Sequence, residues 1–226
     1  MCGRFAIAHI PGFFARFMLR DAGIELQPRF NIAPTQEVPI VVSDSPNRLV
    51  MMRWGLVPFW AKDPKIGNRL INARAETIAT SPAFRASVKK RRCLVPATGF
   101  YEWKKTDGRK TPYYCHLRDD AFFGFAGLYD RWKSPDGTDL MTFTIVTTVP
   151  NALISKIHNR MPVVLRKEDE GTWLGHDPLT PDDLGRLLVS YPATNMEMYP
   201  VSPEVGNPRN EHEGLVRPLA PANRRR

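Results

Sequence analysis

Turn signals cut this chain into short runs, and they constrain its fold more than any other feature of the sequence. Asp107-Gly108 lies between two strand-prone runs, 99–104 and 113–117, and is the strongest hairpin signal present. Ser43-Asp44-Ser45-Pro46-Asn47 separates apolar runs at 38–42 and 49–56, and Ser134-Pro135-Asp136-Gly137 separates 122–129 from 140–148. Further strand-like runs occupy 2–8, 93–95, 163–165 and 197–200. Helices are few and short. Apolar spacing suggests one over 13–22, and Ser81-Pro82 opens another to about Lys90. Asn151 caps a third through His158, and Thr180-Pro181-Asp182 opens a fourth through Val189. The predicted architecture is α+β: a single β-rich domain of mostly antiparallel strands with a few short helices, spanning 1–217. Residues 218–226 read as a disordered basic tail.

Length and composition exclude several classes. A chain of 226 residues with 42% hydrophobic and 24% charged residues buries a substantial core and fits one domain. No apolar run reaches membrane-spanning length, and residues 1–10 carry no secretory pattern, so an intracellular, cytoplasmic protein is expected (nucleoid-associated in a bacterium). Cys2, Cys93 and Cys115 are odd in number and far apart, which argues against a disulfide framework and a structural zinc site; no metal or other cofactor is expected. Phosphate-binding loops, dinucleotide fingerprints, GxSxG elbows and HExxH pairs are all lacking. The net charge of +9 points to a polyanionic partner, with dense runs at Lys89-Lys90-Arg91-Arg92 and Arg224-Arg225-Arg226.

Several residues carry possible chemistry. Small second residues favour removal of the initiator methionine, so Cys2 is expected to begin the mature chain. That places an α-amine of pKa about 7.7–8.0 and a thiol of about 8.5 on one carbon. Such a 1,2-aminothiol condenses with an aldehyde to an imine that the thiolate closes to a thiazolidine; it also suits an N-terminal amidohydrolase nucleophile. Taken alone, Cys2 is better read as an accident of a frayed terminus, and the rest of the chain must shift that balance. Trp54-Gly55-Leu56-Val57-Pro58-Phe59-Trp60 supplies three aromatics, followed by Lys62, Lys65 and Arg69. Rings of this kind either fill a core or, interleaved with cations, stack unpaired bases. In a strand, Asn72, Arg74 and Glu76 would share one face, solvated or functional. Glu102, inside Gly99-Phe100-Tyr101-Glu102-Trp103, is suited to proton transfer if buried, whereas a half-exposed strand glutamate is the commoner outcome. His158 suits both a helix C-terminus and a proton shuttle. Residues 28–35 read as a rigid loop between Pro28 and Pro34.

Seven blocks in order resemble the SOS response-associated peptidase (SRAP) family. They are Met1-Cys2-Gly3-Arg4-Phe5, Arg29-Phe30-Asn31-Ile32-Ala33-Pro34-Thr35, Trp54-Gly55-Leu56-Val57-Pro58, Ile71-Asn72-Ala73-Arg74-Ala75-Glu76-Thr77, Arg92-Cys93-Leu94-Val95-Pro96-Ala97, Gly99-Phe100-Tyr101-Glu102-Trp103 and His158-Asn159-Arg160-Met161-Pro162. The resemblance implies a sensor of abasic sites in single-stranded DNA, including single-strand/double-strand junctions. It implies a covalent crosslink between Cys2 and the ring-opened deoxyribose, after autocatalytic loss of Met1, with β-elimination as a possible side reaction. Cys2, Asn72, Glu102 and His158 match the catalytic positions. Arg74 and Arg160 match phosphate-gripping arginines, with Arg4 as an addition. Phe59 and Trp60 would form a stacking wedge, and Pro34 and Trp103 complete the implied DNA contacts. Nothing demands more than a monomer. Two other readings stay open: a thiol-dependent peptidase or amidohydrolase, and a non-covalent single-strand binding module.

Overall fold

The computed structural model describes residues 2–19, 23–43, 47–134 and 136–219. Met1, the middle of the 43–47 turn, Pro135, the far end of the 13–22 helix and the tail from 220 lie outside the described residues. The described chain forms an α+β fold whose strands are mostly antiparallel.

One sheet has five strands in the spatial order β12 (Met196–Pro200), β8 (Arg109–Leu117), β7 (Gly99–Thr106), β1 (Phe5–Ile7) and β2 (Arg29–Ile32). The expected β7–β8 hairpin is present, with Thr106 opposite Arg109. Asp107 at φ 48° and Gly108 at φ 74° both take the left-handed backbone that a two-residue turn needs.

In the second sheet, β10 (Asp139–Thr148), β4 (Arg48–Trp54), β3 (Glu37–Val42), β6 (Arg92–Ala97) and β9 (Phe123–Lys133) pair in that order, and β9 returns to pair with β10. The five strands therefore close into a small barrel. β10 outruns the ring at its C-terminal end and carries two short strands there. β5 (Asn72–Arg74) pairs parallel to it, and β11 (Met161–Pro162) antiparallel. Thr147 has Arg74 beside it on one edge and Pro162 on the other.

Aromatic packing joins the sheets. The Phe5 ring of β1 lies 5.2 Å from Trp54 and 6.0 Å from Phe125, both barrel residues. Phe143 stacks on Trp54 at 6.2 Å. All four are fully buried, and burying one such side chain contributes about 1.5–3 kcal/mol.

Several elements differ from expectation. Residues 29–32, expected as loop, form β2; the buried Asn31 is satisfied by donating to the Asn207 and Asn210 carbonyls. The helix expected over 81–90 is cut to α2 (Ser87–Lys90), after turns in which Phe84 and Arg85 N–H donate to the Ser81 carbonyl. The helix expected over 151–158 is a single 3-10 turn, Ile154–Lys156. Asn151, expected as its N-cap, lies two residues ahead of the actual N-cap, Leu153, and accepts from Leu153 and Ile154 N–H in the turn leading in; the chain must then turn to bring β11 onto β10. Among the described residues, the 13–22 helix is limited to α1 (Phe13–Arg16). An unanticipated helix, α3 (Lys167–Leu174), buries Trp173 and explains part of the basic run. Arg92 is buried and donates to the Val88, Trp173 and Asp177 carbonyls, so it serves the fold rather than a surface patch. The last helix, α4 (Pro181–Leu187), has the capping box of Thr180 and Asp183.

Candidate functional site

The candidate residues meet at the seam between the two sheets. Cys2 lies just ahead of β1, and Glu102 is on the neighbouring β7. Asn72 comes from β5, and His158 and Arg160 from the segment leading into β11. Two strands of the five-stranded sheet and two appendages of β10 thus converge on one place.

Asn72 ties the two sides together. Its side-chain amide donates to the Cys2 carbonyl at 2.8 Å. Its other side-chain atom, Oδ1, is buried and has no hydrogen-bond partner among the described residues. A buried acceptor left open in this way costs about 1–3 kcal/mol, and it is positioned to take a donor from whatever enters the site.

The strand register sends Glu102 inward: only 3% of its side chain is exposed. Burial raises its carboxyl pKa above the ordinary value, a shift that His158 opposes. The glutamate is therefore the buried acid that the sequence left open. His158 Nε2 stands 3.9 Å from Glu102 Oε2, longer than a hydrogen bond but within ion-pair reach. On the far side of the ring, the Arg160 N–H donates to His158 Nδ1 at 3.0 Å. Nδ1 also lies 3.1 Å from the Arg160 carbonyl oxygen, so the Arg160 backbone pins the ring whichever nitrogen carries the proton.

Cys2 is fully buried. Burial first, and then the nearby charge of Glu102, push its thiol well above the ordinary range. The thiol is thus protonated at rest and needs a base to become a nucleophile. Cys115, on β8, is buried and sits close enough that Glu102 and Cys2 both raise its thiol; Cys93 is buried in the barrel core.

The remaining predicted contacts are spread around this centre. Arg74 is exposed at the end of β5. Arg160 makes a two-point ion pair with Glu76 and donates to the Thr147 carbonyl at 2.7 Å. Arg4 turns the other way: its Nη1 donates to Asn31 Oδ1 at 2.6 Å and to the Val205 carbonyl at 2.7 Å, linking β1 to the C-terminal segment. Pro34 is half-buried in the turn before Thr35, whose N–H donates to the Trp54 carbonyl.

The aromatic run splits by environment. Trp54 is core, whereas Phe59 and Trp60 are 59% and 48% exposed. Exposed rings on a loop need anchoring, and three contacts supply it. Phe59 N–H donates to buried Asp130, Val57 N–H to Thr142 Oγ1, and Trp132 Nε1 to the Ala61 carbonyl. The 3-10 helix Pro64–Arg69 then closes against the base of the loop through a glycine pair: a Cβ on Gly55 would fall 2.6 Å from the Gly67 carbonyl oxygen.

Beside the centre opens a cleft of about 680 Å³, lined by Trp103, His158, Lys104, Lys105 and Lys156 among others, with no carboxylate in its wall. Its lysines, and the roles of Asp130 and Glu76, escaped the sequence reading. Lys104 and Lys105 directly follow Trp103 and were open to inspection; nothing local marks Asp130. Among the described residues, no group of three or more His, Cys, Asp or Glu could hold a metal ion, and no helix is long and apolar enough to cross a membrane.

This arrangement can be set against known proteins. The family model described as SOS response associated peptidase (SRAP) matches residues 1–208. The chain belongs to the SRAP family. The chain is 46% identical over 222 residues to the abasic site processing protein YoaM of Bacillus subtilis, covering 96% of this chain and 97% of the relative. It is 31% identical to the abasic site processing protein HMCES of Xenopus tropicalis, over 81% of this chain and 64% of that protein. A crystal structure of a protein from Bacteroides thetaiotaomicron superposes with a TM-score of 0.76 at 33% identity, covering 82% of each chain. The SRAP fold expected from the sequence is therefore the fold observed, and the family supports terms such as DNA repair and DNA binding.

Proposed function

We propose that this protein processes abasic sites in single-stranded DNA by capturing them covalently on Cys2. The observation that carries the reading is the buried Glu102 and the half-buried His158, 3.9 Å apart, beside a Cys2 whose carbonyl is held by Asn72. An acid–base pair next to an aminothiol is what condensation with a masked aldehyde requires. The names of the relatives, abasic site processing proteins, point to the same substrate.

Hydrolysis of the Met1–Cys2 peptide bond consumes one water and frees the Cys2 amine. Glu102 and His158 then move the proton that opens the hemiacetal of the abasic sugar to its aldehyde. The amine adds to C1′, the Glu102–His158 pair gives up one proton, and one water leaves, giving an iminium. The Cys2 sulfur adds to the same carbon while its proton passes to a neighbouring base, and the thiazolidine closes with no atom unaccounted for. Amine attack comes first, because the sulfur needs the iminium carbon as its electrophile, and burial keeps the thiol protonated until then. Asn72 keeps Cys2 in register throughout. Around this centre, Arg74, Arg160 and the lysine-lined cleft receive the strand's phosphates, while Phe59, Trp60 and Trp103 stack against its bases.

Intact mass tests the reading. Purified protein lacking Met1 should gain the mass of a single-stranded oligonucleotide carrying one abasic site, as a heat-stable adduct. Cys2→Ala should give no adduct yet still bind the strand. A freed Cys2 that yields no adduct, or an adduct that persists in Cys2→Ala, would overturn it.

A further inference from the structure

Arg160, the arginine assigned above to a phosphate, already has an anion on its fork. Its Nη1 lies 2.5 Å from Glu76 Oε1 and its Nη2 3.0 Å from Glu76 Oε2, and Nη2 also donates to the Thr147 carbonyl at 2.7 Å. Nε is buried with no partner among the described residues. A guanidinium has five N–H groups, and its end-on pair is here taken by a carboxylate in the two-point geometry that a phosphate would use. A phosphate can obtain that fork only by displacing Glu76.

The two side chains differ in freedom. Arg160 is 14% exposed and pinned to β10, whereas Glu76 is 48% exposed on the 3-10 turn Ala75–Thr77. Glu76 can swing away without opening the core; Arg160 cannot. We infer that Glu76 occupies the phosphate seat of Arg160 in the free protein and so selects against strands that offer no lesion. This inference rests on the DNA reading above. An intact strand must break the Arg160–Glu76 pair and has only reversible contacts to offset the loss. An abasic strand faces the same competition, but the covalent bond to Cys2 then holds it. The carboxylate thus weakens indiscriminate binding while leaving the captured product intact.

The test is fluorescence anisotropy with a labelled, intact single-stranded oligonucleotide, across a salt series, on wild type, E76Q, E76A, R160A and E76Q/R160A. Ion pairs that are in part exposed contribute about 0.2–1 kcal/mol, so E76Q should bind roughly 1.4- to five-fold tighter. The gain should be largest at low salt and shrink as salt rises, because it comes from a freed guanidinium meeting a phosphate. E76A should shift in the same direction, and the gain should vanish when Arg160 is absent. Equal or weaker binding by folded E76Q and E76A, or a gain that survives in E76Q/R160A, would overturn the inference. A wild type that binds neither intact nor abasic strands would instead sink the DNA reading itself.

Discussion

Replacing Glu102 by glutamine should make the protein more stable and far less active, and the structure sets the sign of both effects. Glu102 is 3% exposed, and burial raises its carboxyl pKa despite the opposing charge of His158. A carboxyl that titrates higher when folded than when unfolded adds stability only while protonated. That contribution is complete below the unfolded value of about 4.3 and is lost as pH rises through the raised folded value. Above that window the folded protein carries a buried charge that glutamine does not. A stabilising change of this kind gives roughly 0.5–2 kcal/mol, and for a chain of this size each kcal/mol moves Tm by about 2–4 °C. Glu102→Gln should therefore melt about 1–8 °C above wild type at pH 8 and show no gain near pH 4. The same variant should lose about 10²–10⁴-fold in crosslinking rate, the usual worth of a general acid–base group. Circular dichroism melts at the two pH values, with crosslinking time courses on the same preparations, measure both. An unchanged or lower Tm at pH 8 would show that the charged carboxylate is held by its neighbours more strongly than burial penalises it, and the argument from desolvation would fail.

Two further outcomes separate the anchored loop from the rings it carries. Phe59→Ala and Trp60→Ala should each weaken binding to intact single strands by about 1–3 kcal/mol while leaving Tm near wild type, because both rings are exposed. A drop in Tm without a change in affinity, read by melts and anisotropy, would return both rings to packing. Gly55→Ala forces a side chain onto a backbone at φ 118° and puts its Cβ 2.6 Å from the Gly67 carbonyl oxygen. Left-handed strain of about 1–2 kcal/mol and overpacking of about 1–3 kcal/mol should together lower stability by roughly 2–5 kcal/mol. A wild-type melting curve for that variant would mean the two glycine backbones do not need their close approach.

How much of this was legible in the sequence depends on the range of each signal. The β7–β8 hairpin was readable because Asp107 and Gly108 carry their backbone preference within two residues. The capping box of Thr180 and Asp183 was half readable for the same reason. Closure of the barrel was not, since it depends on β9 meeting β10 and β6 together, and no local pattern encodes two partners for one strand. Helix lengths failed where tertiary pairing overrode periodicity, as where β11 must reach β10 only a few residues after the Ile154–Lys156 turn. In the site, the residue types of Cys2, Asn72, Glu102 and His158 were plain, but the burial of Glu102 was not. That burial follows from β7 lying between β1 and β8, a fact about neighbours rather than about Gly99-Phe100-Tyr101-Glu102-Trp103 itself. Arg92 misled for the complementary reason: in sequence it ends a basic run, and only the packing of α2, α3 and the segment after α3 around it supplies the carbonyls it satisfies.

The placement of the site at the end of β10 has a mechanical consequence. Thr147 is flanked by Arg74 and Pro162 and accepts from Arg160, so one strand fixes the two arginines and, through the Arg160 N–H, the ring of His158. Glu102 and the Cys2 backbone belong instead to the other sheet, reached across the seam by the Asn72 amide at 2.8 Å and the 3.9 Å approach of His158. Glu102 and Cys2 belong to the five-stranded sheet, whereas Asn72, His158 and both arginines hang from β10, so the site is complete only where the two sheets meet, and these are locked together by the Phe5, Trp54 and Phe125 packing. If Cys2 captures an abasic sugar as proposed, rigid strands on both sides of the seam hold the Glu102 carboxyl, the His158 imidazole and Cys2 together before a strand arrives, which is the preorganisation a condensation at one carbon needs. On the proposed reading, a change that loosens the seam should slow capture more than it weakens strand binding. A change at the end of β10, which holds Asn72 and His158 as well as Arg74 and Arg160, should impair both.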